Sequence, residues 1–269
     1  MKSLSGKMSA ASLAAMISLT FSGAALSAEA TYEATFESLW NGDDHPRNFP
    51  SSAHFSPLVG ASHAAGVNFW MAGDVATPGV ESVAETGATG SFVNEVNAAV
   101  GRGDALQSIT GTSSVFVGGT TTSNVFEVNS SYPLVTFLSM IAPSPDWFVG
   151  IHDYDLRDGA GFAESRVFDF DTFYDAGTEE GSGFSTSNPA TNPIDDISLV
   201  AGDDARDVFI PSSPPGPGPR GQSELQPIAR LTLTRLSQTV PEPGSIGLAM
   251  AGLLSLLGVR QITRRRLSR

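Results

Sequence analysis

Apolar and polar residues alternate in short runs along most of the chain, and glycine, serine, asparagine and aspartate separate the runs. Alternation with a period of two is typical of β-strands that bury one face. It predicts strands over residues 31–36, 115–117, 134–140, 147–151 and 231–236. Short strands separated by turn residues favour an all-β fold, an antiparallel β-sandwich of two sheets.

Two segments depart from this pattern. Residues 90–100 predict a helix because Phe92, Val93, Val96 and Val100 recur at spacings that place them on one helical face. The run at 211–219 contains five prolines and predicts a surface loop or extended arm, since proline cannot continue a helix or a central strand. The sandwich is therefore expected to carry one or two short helices.

Large aromatic residues are expected in the core of such a fold. Trp40, Trp70 and Trp147 are the candidates for an exposed carbohydrate platform, but burial is the commoner fate of tryptophan in a sandwich. Trp147 and Phe148 are neighbours on one predicted strand, so only one of them faces the interior if the sheet is covered on a single side.

The N-terminal residues predict a secretory signal peptide over residues 1–30. Lys2 and Lys7 precede an apolar run at 8–26, and the small residues of Ala28-Glu29-Ala30 fit a cleavage site. An N-terminal membrane anchor or a buried helix is the alternative. Cleavage would leave a domain at 31–240.

Three features follow one another at the C-terminal end, over residues 241–269. Pro241-Glu242-Pro243 comes first, an uncharged apolar run at 244–259 follows, and five arginines complete the chain. The run is shorter than the roughly 20 residues of a comfortable transmembrane helix. It can hold the chain transiently, because positive charge after a span stays on the cytoplasmic side.

This order resembles the PEP-CTERM sorting signal. The resemblance implies recognition and cleavage by an exosortase-type sorting enzyme, with Pro241, Glu242 and Pro243 as the sorting motif. It also implies secretion to the cell envelope, with a transient anchor in the membrane. A plain tail anchor would have no need of the proline-flanked glutamate.

Acidic residues dominate the predicted mature domain. Residues 31–240 contain 26 acidic and 8 basic residues, all arginine, which gives a net charge of −18. Such a surface repels nucleic acid and anionic lipid, so the C-terminal segment is the only expected membrane contact. The chain has no cysteine, which excludes disulfides and thiolate metal sites.

Two turns combine carboxylates with residues that favour tight bends. Asp146 lies in the segment 144–150, and Asp175 and Glu179 flank Gly177 about thirty residues later. Calcium takes several oxygen ligands from loops of this kind. Aspartates that only form turns or cap helices are the structural alternative.

Several stretches resemble the N-terminal spondin domain of the F-spondin and mindin type. They are residues 55–63, 143–151, 175–178 and 227–230, and the similarity extends over 31–236. The resemblance implies an extracellular β-sandwich that serves adhesion and matrix interaction without catalysis. It also implies a calcium ion at Asp146, Asp175 and Glu179. The family usually has aspartate where Glu179 stands, and Glu180 is the alternative third ligand.

Other function classes find weaker support. A hydrolase triad could be drawn from Ser56, His54 or His63, and Asp43 or Asp44, but Ser56 lacks a Gly-x-Ser-x-Gly turn. A zinc site from His45, His54 and His63 lacks a characteristic spacing. The sequence thus predicts a noncatalytic adhesion or binding module whose partner is an extracellular polymer or a surface protein. A polysaccharide-binding module and a cryptic hydrolase are the alternatives.

Overall fold

Fifteen strands and three helices form in the part of the chain that the computed structural model describes, residues 28–210 and 225–239. The strands are β1 (Glu29–Ser38), β2 (His54–Phe55), β3 (Val59–His63), β4 (Ala105–Thr110), β5 (Val115–Phe116), β6 (Thr120–Thr122), β7 (Phe126–Asn129), β8 (Leu134–Ala142), β9 (Trp147–Asp155), β10 (Arg157–Asp158), β11 (Gly161–Phe162), β12 (Ser165–Phe170), β13 (Phe173–Asp175), β14 (Ser198–Val200) and β15 (Ala229–Thr239). The helices are α1 (Pro78–Thr86), α2 (Gly90–Arg102) and α3 (Gly202–Phe209). All five predicted strands are present, and the helices number one more than expected.

The strands form two main antiparallel sheets, which confirms the predicted sandwich. In the smaller sheet the order is β12, β15, β1, and both β6 and β7 pair with the free edge of β1. In the larger sheet the order is β14, β13, β9, β8. The first half of β8 then pairs with β3 and its end with β2, and these continue to β4 and β5 respectively.

One core lies between the two sheets. Ala30, Tyr32, Ala34 and Phe36 alternate along β1 and point into it, as the period-two pattern predicts. Across from them, β8 and β9 contribute a second set of apolar residues, namely Val135, Phe137, Ile141, Trp147 and Val149. The polar residues between those of β1 face outward.

A second core covers the opposite face of the larger sheet. Helices α1 and α2 pack there against β3, β8 and β9, burying Phe92, Val96 and Phe148 together. All nine residues of β8 are consequently buried. Trp147 belongs to the first core and Phe148 to the second, so both neighbours are interior. The expectation that only one could be interior assumed a sheet covered on one side.

The tryptophans confirm the core assignment. Trp40, Trp70 and Trp147 are all buried. Trp40 contacts Phe184 and Phe209 with ring centroids 5.1 and 5.6 Å apart. The three residues therefore provide no exposed platform for a sugar ring.

The predicted helix is present, but its buried face differs from the predicted one at a single residue. α2 buries Phe92, Val96 and Ala99, whereas Val100 is 37% exposed. Val100 lies about 80° around the helix from Phe92, at the rim of the buried stripe, because each residue turns an α-helix by about 100°. Placing Val100 on the buried face was therefore wrong.

The first and last strands are neighbours along their whole length. β1 begins at Glu29, two residues before the predicted domain boundary, and Glu29 and Ala30 pair with Thr239 and Gln238. No helix among residues 28–210 and 225–239 is long and apolar enough to cross a membrane. The predicted signal peptide up to residue 27, the proline-rich run at 211–219 and the apolar run at 244–259 lie outside the described residues.

Val96 and Val100 of α2 provide a test of the second core. Val96→Ala should lower the free energy of unfolding by about 2–3 kcal/mol, since it removes two buried carbons and leaves a cavity. The same substitution at Val100 should cost less than about 0.5 kcal/mol. Urea denaturation of both variants measures the difference, and equal losses would show that α2 does not pack as described.

Candidate functional site

The turn between β8 and β9 buries a carboxylate. Asp146 has no solvent-exposed surface. Its Oδ2 accepts hydrogen bonds from the backbone N–H groups of Thr178 (2.6 Å) and Glu179 (3.0 Å), and the Thr178 hydroxyl lies 3.2 Å away. Its Oδ1 is buried without a hydrogen-bond partner in the described structure. Burial of a carboxylate oxygen is costly unless a hydrogen bond or a cation compensates for it.

The chain after β13 supplies those N–H groups because it turns sharply. Gly177 has φ 74°, and a Cβ at this position would lie 2.5 Å from the carbonyl oxygen of Asp195. Only glycine fits both the backbone conformation and the close approach. Thr178 and Glu179 are thereby directed toward Asp146.

Asp175 is held beside Asp146 at the end of β13. It pairs with Trp147 across the sheet, and its Oδ2 accepts a hydrogen bond from the Trp147 indole N–H at 3.1 Å. Its Oδ1 accepts one from the Gly177 N–H at 2.9 Å. The structure therefore brings Asp146 and Asp175 to the same corner of the larger sheet, as the sequence predicts.

Glu179 is placed differently from the two aspartates. Its backbone N–H faces Asp146, but its carboxylate accepts a hydrogen bond from the Asn188 side chain at 3.1 Å. Glu180 is exposed. Within residues 28–210 and 225–239, no three or more His, Asp or Glu side chains converge closely enough to hold a metal ion. The ligand set Asp146, Asp175 and Glu179 thus stays a prediction.

Burial dominates the electrostatics of this corner. The pKa of Asp146 is raised from 3.8 to about 6, first by burial and then by the charge of Asp175, while the hydrogen bonds from Glu179 and Thr178 oppose the shift. Ionised Asp146 is therefore destabilising to the folded state near neutral pH. A bound cation would offset this cost.

Glu85 is a further carboxylate at this corner that the sequence did not reveal. It lies in the last turn of α1 and is within hydrogen-bonding reach of the Thr178 hydroxyl. Burial raises the pKa of Glu85, and the charges of Glu179 and Glu81 add to this effect. No local motif marks Glu85, because its position depends on how α1 packs on the larger sheet.

The residues of the hydrolase hypothesis do not form a triad. Ser56 is buried, and its Oγ accepts a hydrogen bond from the Met140 N–H at 2.9 Å and lies 3.4 Å from the Ser139 hydroxyl. His54 lies against the exposed ring of Phe116 and bonds to the Ser52 carbonyl oxygen. Ser56 therefore has structural partners in place of a histidine base.

His63 has structural partners and is buried. Its Nδ1 donates to the Ala64 carbonyl oxygen, so its Nε2 accepts from the Thr136 hydroxyl at 2.9 Å. Its ring packs edge-on against that of Phe69, with 5.4 Å between the ring centroids. His45 is also buried and bonds to the Gln226 carbonyl oxygen at 3.0 Å.

The raised pKa of Asp146 predicts a pH dependence of stability. Between about pH 4 and pH 6 the folded state binds one more proton than the unfolded state, so the free energy of unfolding falls as pH rises through this range. The total change is on the order of 2–3 kcal/mol. In calcium-free buffer, Asp146→Asn should lose this contribution, whereas Asp171→Asn at an exposed position should keep it. Urea denaturation at pH 4, 5, 6 and 7 measures it, and parallel pH profiles for wild type and Asp146→Asn would contradict the assignment.

Comparison with known proteins matches the chain in two separate regions. The Spondin_N family model matches residues 30–211, and the PEP-CTERM protein-sorting motif matches residues 239–266. Human Spondin-2 is 36% identical over 221 residues, which is 78% of this chain and 62% of the relative. Rat Spondin-2 is 34% identical over 233 residues, covering 83% of this chain and 67% of the relative. Human Spondin-1 is 30% identical over 218 residues, covering 78% of this chain and 26% of the relative. The chain therefore belongs to the Spondin_N family and ends in a PEP-CTERM protein-sorting motif.

Proposed function

We propose that this protein is an exported, noncatalytic adhesion or binding module of the cell surface or extracellular matrix, and that its folded domain holds a calcium ion. The observation that carries the proposal is the Oδ1 of Asp146, a buried carboxylate oxygen without a partner beside a second aspartate. Membership of the Spondin_N family supports the extracellular adhesion role.

The residues at this corner fit a hard cation. Calcium prefers carboxylate, carbonyl and water oxygens, and the acidic groups here are Asp146, Asp175, Glu179 and Glu85. Asp146 and Asp175 would be the principal ligands. Glu179 would join them after its carboxylate leaves Asn188, and Glu180 is the alternative. The ion would supply the positive charge that the ionised form of Asp146 lacks.

The sorting motif supports export and an encounter with a processing enzyme. An exosortase-type enzyme would recognise Pro241, Glu242 and Pro243 and cleave the chain at the membrane. The freed or transferred domain would then meet an extracellular polymer or a surface protein. With all three tryptophans buried, a polysaccharide ligand would have to be bound without a tryptophan platform.

Calcium should stabilise the domain measurably. At about 100 times its Kd the ion adds about 2.7 kcal/mol, which corresponds to a rise in Tm of about 5–10 °C for a domain of this size. Asp175→Asn should abolish the rise, because it removes a charged ligand while keeping a similar shape. Differential scanning calorimetry with calcium and with EDTA measures the effect.

The neighbouring glutamates serve as a matched pair of controls. Glu179→Gln should reduce the calcium-induced rise in Tm, and Glu180→Gln should leave it unchanged. The reverse result would make Glu180 the third ligand. An unchanged rise in Asp175→Asn would show that calcium binds elsewhere.

Removing the residues from Pro241 onward should release the domain without unfolding it. The reason is that β15, the last strand, ends at Thr239, so truncation spares every described contact of the domain. Cell fractionation should find the truncated domain in the medium and the full chain with the membrane or envelope, and intact mass should show processing. A truncated domain that no longer folds, or uncut full-length chain in the cytoplasm, would contradict this role of the tail.

A further inference from the structure

The first and last strands of the domain bring its two chain ends to the same end of the sandwich. Glu29 pairs with Thr239 on one side and with Asn129 on the other, and Ser130 donates a backbone hydrogen bond to the Ala28 carbonyl oxygen. We call the end of the sandwich formed by Glu29, Asn129 and Thr239 the terminal pole. Residues that precede β1 or follow β15 must start from this pole.

The carboxylate corner lies at the other end of the sandwich. β8 begins just after the terminal pole, where Leu134 pairs with Asp155, and runs nine residues to the turn that holds Asp146. At 3.3 Å per residue this distance is about 30 Å. We call the end formed by Asp146, Asp175 and Glu179 the carboxylate pole.

Side-chain contacts give the same arrangement for the smaller sheet. β1 runs from Glu29 at the terminal pole toward Trp40, whose ring lies 5.1 Å from that of Phe184. Phe184 in turn contacts Trp147, the neighbour of Asp146, at 6.1 Å between ring centroids. Both sheets therefore span the molecule from one pole to the other.

The connection between the terminal pole and the sorting motif is short. The match to the motif starts at residue 239, where β15 ends, and the apolar run starts at residue 244. Five residues span at most about 18 Å when fully extended. A chain held by that apolar run therefore keeps its terminal pole close to the bilayer.

We propose that, while the C-terminal segment holds the chain at the membrane, the terminal pole faces the lipid headgroups and the carboxylate pole points away from them. The inference rests on the proposed sorting function. It deepens that function by leaving the candidate calcium site open to extracellular partners before the sorting enzyme acts.

Single cysteines in the full chain test this orientation, because the natural sequence has none to interfere. Ser131→Cys places a fluorophore at the terminal pole, and Ser182→Cys places one at the carboxylate pole, where Gly181 lies against Pro145. Both serines are exposed. The labelled chains are produced in cells without the sorting enzyme, and lipids with nitroxide headgroups are added to the isolated membranes.

Quenching should be at least about threefold stronger at position 131 than at position 182, since the two positions are separated by about 30 Å. Equal quenching, or stronger quenching at position 182, in chains that sediment with the membrane would overturn the orientation alone. Chains that do not sediment with the membrane would overturn both the anchoring function and the orientation. Urea denaturation of each labelled variant, compared with wild type, shows that the label has not unfolded the domain.

Discussion

Burial of the β8–β9 hairpin on both faces is the constraint on which the rest of the structure depends. One face of the hairpin packs on the smaller sheet and the other on α1 and α2, so Trp147 and Phe148 enter separate cores. A strand buried on both sides can carry few polar groups, and its backbone must be fully paired. The turn that joins the two strands is therefore also buried from solvent.

That buried turn explains the properties of Asp146. A carboxylate at the tip of an exposed hairpin would be hydrated and would have a pKa in the usual range. Asp146 is instead desolvated, and it accepts its hydrogen bonds from the loop after β13. The same loop depends on Gly177, which lets the chain turn back against Asp195. Hairpin and loop thus hold Asp146 and Asp175 together, in a domain whose acidic residues far outnumber its basic ones.

The pairing of β1 with β15 links the fold to export. Because the first and last strands are antiparallel neighbours, the segments that precede and follow the domain leave from the terminal pole, and the carboxylate pole lies at the opposite end. The match to the sorting motif starts where β15 ends, so strand order determines from which pole that segment leaves the domain.

Local patterns of apolar and polar residues were sufficient to predict several strands and one helix of the fold. Period-two alternation located five strands, and the spacing of Phe92 and Val96 located α2. Turn residues singled out Asp146 and Asp175, which the fold places at one corner of the larger sheet. The family and the sorting motif could also be predicted, because characteristic residues in the order of the sequence carry both resemblances. Only the packing of the elements determined which of their faces are covered: Trp147 and Phe148 are both interior, and Ala99 is buried in place of Val100. Packing also brings Glu85 to the carboxylates and gives the Glu179 side chain its hydrogen bond from Asn188. The physical reason is that periodicity reports the geometry of one element, whereas burial and side-chain partners depend on elements far away in sequence that pack against it.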